Sequence, residues 1–277
     1  MSRKVEIMDG GMGGELLERG VHFDIRYWSV VTLVNDSQHH KIVEAHAAFI
    51  KAGAKYITTS NYTVVPSKGF TFSEIEKYTD ISVNLALKAR AGDKSVKICG
   101  TIPPLNETLV IKNTKNVIIY NFIAEILAKN VDILLAESIS TVDEADMILQ
   151  STENINKPLY LSFVLSEDGN LRDGTPIVKA IQDITKNTTR ISGILFNCCS
   201  PGAITIALRK LYIKGVLFYL TSNNIRLGAY PNRLDLQSKY LDNTDDINEW
   251  VDKGITLIGG CCDTNSDYID KLFSKIS

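Results

Sequence analysis

Two cysteine pairs carry the clearest chemical signal in this chain: Cys261-Cys262, directly after Gly259-Gly260, and Cys198-Cys199, directly after Asn197. Two sulfurs from the first pair and one from the second can supply three thiolates to one metal ion. Thiolates are soft ligands, and three of them leave the fourth tetrahedral position of Zn²⁺ open, the arrangement of a catalytic rather than a structural zinc site. A substrate sulfur can take that open place.

Residues so far apart must be gathered by the fold. Eight short, apolar, β-branched runs recur along the chain, at 5–8, 55–58, 96–99, 132–135, 159–162, 193–196, 226–230 and 255–258. Segments of helical period separate them: Ser37 to Ala52, Asp80 to Ala91, Val117 to Lys129, Ser140 to Ser151, Pro176 to Lys186, Gly202 to Tyr219 and Asp246 to Lys253. Such alternation predicts βα units and a parallel sheet. Eight units closing on themselves make a (β/α)₈ TIM-type barrel, an α/β fold typically of about 250 residues. No low-complexity linker or longer repeat divides residues 1–277, so one domain is expected.

Active sites of such barrels lie at the carboxyl ends of the strands. The chain's polar residues fall there: Asp9-Gly10-Gly11 after the first run, Thr59-Ser60-Asn61 after the second, Glu137-Ser138 after the fourth, Asn197-Cys198 after the sixth, Asn232 after the seventh and Cys261-Cys262 after the eighth. Runs six and eight both adjoin run seven in a closed ring, which brings Cys198 within reach of Cys261 and Cys262.

With 277 residues, 44% of them hydrophobic, the chain can bury a large core. Its net charge of -2 offers no basic footprint, so nucleic acid and anionic membrane are poor partners. The N-terminal residues contain neither a signal peptide nor a membrane span, and a cytoplasmic location is expected. In a reducing compartment, five cysteines without a regular framework favour metal binding over disulfides. Cys99 is expected to be a small core residue, His46 structural, and Trp28 and Tyr62 either pocket or core aromatics.

Taken in order, these blocks resemble the homocysteine S-methyltransferase family nearly end to end. The matching segments are the 9–20 opening with Asp9-Gly10-Gly11 and Glu15-Leu16, Trp28-Ser29, Thr58-Thr59-Ser60-Asn61-Tyr62, Gly100-Thr101-Ile102-Pro103-Pro104, Glu137-Ser138, Asp173-Gly174-Thr175-Pro176, Gly228-Ala229-Tyr230-Pro231-Asn232-Arg233 and the final glycine-cysteine block. The resemblance implies a zinc-bearing barrel that methylates the sulfur of homocysteine to give methionine, with Cys198, Cys261 and Cys262 as zinc ligands and Cys199 as a bystander. It assigns Asp9 and Glu137 to the amino end of homocysteine. Backbone near Gly10 and the Thr59 hydroxyl would serve the substrate's polar end, although Asp9 could instead cap the segment at Glu15.

A zinc-coordinated thiol is held deprotonated, which makes it a nucleophile at neutral pH. The donor expected is a sulfonium, S-methylmethionine or S-adenosylmethionine, whose leaving group is neutral. Alternatives are a betaine-using enzyme, another thiol or selenol acceptor, or a non-catalytic zinc-binding, thiol-sensing barrel. Residues 263–268 depart from the commonest family pattern, so donor identity does not carry over.

Overall fold

The computed structural model describes residues 4–23, 27–105, 114–186, 188–232 and 244–276. Eight parallel strands form one sheet: β1 (Glu6–Ile7), β2 (Tyr56–Thr58), β3 (Lys97–Ile102), β4 (Ile133–Ile139), β5 (Leu159–Phe163), β6 (Ile191–Asn197), β7 (Arg226–Tyr230) and β8 (Ile255–Ile258). From β2 to β8 each pairs with its sequence neighbour, and β1 pairs with β8. A single Met8–Tyr56 bridge, flanked by the Asp9 N–H to Tyr56 carbonyl bond at 2.8 Å, closes the ring between β1 and β2. The (β/α)₈ barrel expected from the sequence is therefore the fold.

Outside the strands lie α1 (Met12–Glu18), α2 (Val31–Val34), α3 (His39–Lys51), α4 (Phe72–Arg90), α5 (Thr114–Ala128), α6 (Val142–Ser151), α7 (Ile177–Thr185), α8 (Pro201–Ile213), α9 (Val216–Ser222), α10 (Thr244–Asp252) and α11 (Ser266–Ile276). Two differ from the expected boundaries for local reasons. Helix α4 begins eight residues before Asp80, because Thr71 and Glu74 form a reciprocal capping box that fixes its first turn. The segment from Gly202 to Tyr219 is two helices, since Gly215 adopts a φ of 71°, a left-handed conformation that ends one helix and opens the next. Helix α1 covers the segment at Glu15 after the first strand, and α11, outside the helical segments expected from the sequence, follows the last.

Period-two alternation sorts each strand's side chains. Ile57, Ile98, Leu134, Leu161, Ile194 and Ala229 pack outward under the helices, in the main core. Met8, Tyr56, Cys99, Leu135, Tyr160, Leu195, Tyr230 and Leu257 form a second cluster inside the barrel. Cys99 is fully buried there, as expected of a core residue.

Polar layers bound this inner cluster at both ends. At the amino end, Arg226 bonds the Glu6 carboxylate at 2.6 Å and the Tyr56 hydroxyl, with its guanidinium 4.9 Å from the Tyr56 ring centre. The Tyr56 hydroxyl in turn donates to Glu6 at 3.1 Å. This cluster plugs the lower end of the barrel. At the carboxyl end, Thr58, Glu137, Asn197 and Tyr230 line the upper mouth, with the buried Thr101 and Ser162 beneath them.

Candidate active site

A cavity of about 410 Å³ opens at that mouth, lined by Asp9, Gly10, Thr59, Glu137, Cys198, Cys261 and Cys262 together with Trp28, Tyr62 and Lys68. All seven residues singled out from the sequence for substrate or metal thus face one space.

The sulfurs of Cys198, Cys261 and Cys262 lie within 4.8 Å of one another, the one group of potential metal ligands found among the described residues. Cys198 and Cys261 are 2.7 Å apart. Cys262 stands on the open side, whereas Cys199 is buried, turned into the core and outside the cluster. Hydrogen bonds from Cys198 and Cys261 pull the Cys262 thiol down to about 3. Cys261 moves up through its bonds to Cys198 and Cys262 and through burial. The first thiolate formed is thus stabilised by its two neighbours, and further ionisation requires an outside positive charge.

A zinc ion fits this donor set. Tetrahedral sulfur ligands at ~2.3 Å would stand ~3.8 Å apart, so Cys198 and Cys261 must part by about 1 Å to receive it.

The cysteines are held by the residues around them. Cys198 follows β6 with a φ of 51°, a strained conformation for a residue with a Cβ and one typical of functional sites. Before it, the Asn197 side chain accepts from the Ser162 hydroxyl at 2.7 Å and the Ser138 amide at 3.1 Å, and donates to the Ser138 hydroxyl at 3.0 Å. The end of β7 spans the two cysteine loops: the Cys261 amide donates to Pro231, and the Cys262 amide to the Asn232 side chain.

Gly10 and Gly11 line the cavity and also allow a close approach of two loops. A Cβ on Gly11 would stand 2.3 Å from the Cys261 carbonyl oxygen, and one on Gly10 2.7 Å from that of Thr264. The Gly11 amide already donates to the Thr264 carbonyl at 2.8 Å and hydroxyl at 3.0 Å. These glycines let the first loop lie against the cysteine loop.

Asp9 does not cap α1, whose N-cap is Gly11. Its Oδ2 accepts from the Thr58 amide at 2.7 Å and hydroxyl at 3.0 Å. Burial raises Asp9 to about 8 despite these bonds. Glu137 sits in a register shift of β4 between Ala136 and Ile139, next to Ser138 at φ 57°. Such irregularities re-aim side chains near active sites. Burial raises Glu137 to about 7 against the hydrogen bonds of Thr101 and Tyr230, the latter donating to Oε1 at 3.1 Å. Two desolvated carboxylates in one cavity make a strong site for an ammonium, whose charge restores their ionised form.

The Thr59 hydroxyl is engaged within the wall, donating to Asn61 at 2.7 Å and accepting from the Thr101 amide at 2.9 Å. Thr58, Tyr230, Asn197, Asn232 and Thr264 are site residues to which the sequence assigned no role, although Thr58, Tyr230 and Asn232 lie in the matching blocks. Arg233, in one of the matching blocks, lies outside the described residues.

Fold and site together define a (β/α)₈ barrel with a three-thiol cluster beside the buried Asp9 and the half-buried Glu137 at its carboxyl mouth. The homocysteine S-methyltransferase family model matches residues 6–276. The chain belongs to that family and is a methyltransferase. It is 27% identical to homocysteine S-methyltransferase 2 of Saccharomyces cerevisiae, over 99% of this chain and 94% of the yeast protein. It is 25% identical to the selenocysteine methyltransferase of Astragalus bisulcatus, over 99% and 93%. The metallated crystal structure of the homocysteine methyltransferase MmuM from Escherichia coli superposes with a TM-score of 0.81 at 22% identity, covering 98% of this chain and 96% of that one. At that identity the likeness speaks for the fold.

Proposed function

We propose that this chain transfers a methyl group from a sulfonium donor, S-methylmethionine or S-adenosylmethionine, to the sulfur of homocysteine, with zinc held by Cys198, Cys261 and Cys262. The observation that carries this reading is the placement of three sulfurs within 4.8 Å of one another in the cavity that Asp9 and Glu137 also line.

Bound there, zinc would supply the positive charge that keeps a thiol ionised at neutral pH. The chain's own residues supply position. Asp9 and Glu137 hold the acceptor's ammonium, Thr58 fixes the Asp9 carboxylate and Tyr230 that of Glu137. The acceptor thiol gives its proton to solvent. Its sulfur then forms a bond to the donor methyl as the donor's sulfur–methyl bond breaks, and the pair in that bond leaves with a neutral thioether. No general acid is required, and alignment of sulfur and methyl can contribute roughly 7–11 kcal/mol.

The similarity to a selenocysteine methyltransferase makes a selenol a second candidate acceptor of this same site. No helix among the described residues is long and apolar enough to cross a membrane. A reducing cytoplasm, which keeps thiols free for metal, belongs to the same proposal.

The test is methionine formation from homocysteine by zinc-loaded protein, offered S-methylmethionine, S-adenosylmethionine and betaine separately. Turnover with one sulfonium supports the reading. Turnover with betaine alone overturns the donor class, and silence with all three moves the acceptor to another thiol or selenol.

A further inference from the structure

A buried acid lies behind the site. Glu144 on α6 and Tyr120 on α5 are both fully buried, and both helices pack on β4. The Glu144 carboxylate serves two neighbours. Its Oε2 accepts from the Ser140 amide at 2.9 Å and the Ser140 hydroxyl at 3.2 Å, and its Oε1 accepts from the Tyr120 hydroxyl at 2.9 Å.

Capping of α6 does not account for these bonds. Thr141 is the N-cap, and its hydroxyl accepts the Glu144 amide at 3.1 Å without help from the carboxylate. Ser140 precedes that cap, so the carboxylate holds the chain before the helix begins. Burial pushes the Glu144 carboxyl up, and the bonds from Ser140 and Tyr120 oppose it. A desolvated acid costs stability unless its bonds are complete, and two of the three here serve one short turn.

That turn begins at Glu137. The register of β4 to β5 shifts between Ala136 and Ile139, and Ser138 takes a φ of 57°. A left-handed residue with a Cβ is strained and persists only where its surroundings hold it. Asn197 holds one side of the irregularity, through the Ser138 amide and hydroxyl. Glu144 holds the other side through Ser140.

We propose that Glu144, backed by Tyr120, is a positioning residue that fixes the turn after β4 and so aims Glu137 at the ammonium of the acceptor. This rests on the role proposed for Glu137 and names what holds it in place.

Calorimetric titration of homocysteine into zinc-loaded protein, with no donor present, compares wild type with Glu144→Ala, Glu144→Gln and Tyr120→Phe. Glu144→Ala should bind homocysteine roughly 10-fold more weakly, as outer contacts that orient a binding group do, with zinc content and circular dichroism unchanged. Glu144→Gln, whose amide oxygen can still accept from Ser140, should recover most of the loss. The decisive comparison uses a Glu137→Ala background: with nothing left to aim, adding Glu144→Ala should cost about 2-fold or less. A residue that only supports the fold would weaken Glu137→Ala protein as much as wild type. That result, or loss of zinc from Glu144→Ala, would overturn the proposal.

Should Glu144→Ala not fold, Tyr120→Phe carries the same comparison, since it removes one bond and leaves Ser140 and the cap in place. Its expected loss is about 3-fold, the worth of one hydrogen bond, and equal binding by Tyr120→Phe and wild type would then overturn the proposal. If wild type binds homocysteine and these losses appear, but no donor gives methyl transfer, the functional reading fails and the positioning role stands. Equal binding by wild type and folded Glu144→Ala overturns the role and leaves the reading intact; no binding by wild type overturns both.

Discussion

The side-chain oxygen of Asn232 accepts the backbone amide of Cys262 at 3.0 Å. The Asn232 amide donates to the Cys199 carbonyl at the same distance, so one residue at the end of β7 fastens the two loops that carry the cysteines. Outer contacts of this kind typically contribute 10- to 100-fold to metal affinity. Asn232→Ala should weaken zinc binding by about that range while leaving the circular dichroism spectrum of the barrel unchanged, measured by competition with a chromophoric chelator.

Cys261→Ala and Glu137→Gln should separate metal from acceptor. The first removes one of three sulfurs and should abolish stoichiometric zinc and turnover together. The second keeps the sulfurs and removes the charge proposed to face the acceptor's ammonium. Its zinc content should stay at wild type while the homocysteine KM rises on the order of 10- to 100-fold. Zinc-free Glu137→Gln protein would contradict this division.

Gly11→Ala places a methyl 2.3 Å from the Cys261 carbonyl, a backbone atom with no room to swing away. Overpacking of this kind costs about 1–3 kcal/mol, and here the strain falls on a candidate zinc ligand. Thermal melting and zinc content should both drop. Gly14→Ala is the control: its new Cβ would be 3.9 Å from the nearest neighbour and lies within α1, where alanine is favoured over glycine by roughly 0.5–1 kcal/mol. Its melting temperature should hold or rise.

His46 is fully buried on α3, and neither ring nitrogen has a hydrogen-bond partner among the described residues. Burial lowers it from 6.5 to about 4. Between those values the unfolded chain binds a proton that the folded one refuses, so the group's contribution to stability is present above pH 6.5 and is lost as pH falls toward 4. The loss should be on the order of 3 kcal/mol. Denaturant melts of His46→Leu over pH 4–7 should be flatter than wild type by about this amount; parallel curves would show that His46 is not the group responsible.

The fold was legible because strand and helix announce themselves locally. Runs such as Arg226–Tyr230 and Ile255–Ile258 are as long as the strands they form. Even the early start of α4 was present in the sequence, as the Thr71–Glu74 spacing of a capping box. The cysteines were legible because their chemistry is carried by residue type. What holds them was not. Gly11 meets Thr264 across 253 positions, and Asn232 meets Cys262 across 30. Such contacts are created by closure of the ring. Gly10-Gly11 shows the limit of the sequence: glycine marks a close approach of backbone, but its residue type does not tell of the loop that arrives there.

Among the described residues, the cluster of Arg226, Glu6 and Tyr56 fills the barrel's lower end and the cavity opens at the upper mouth. If the acceptor is held against Asp9 and Glu137 as proposed, with the donor nearer the opening, traffic through the pocket becomes a queue: the acceptor would enter first, the donor would block its retreat, and the methylated acceptor would leave only after the spent donor has cleared the way. Such an enzyme would show compulsory-order kinetics, with excess donor trapping the empty site by occupying the passage before the acceptor arrives.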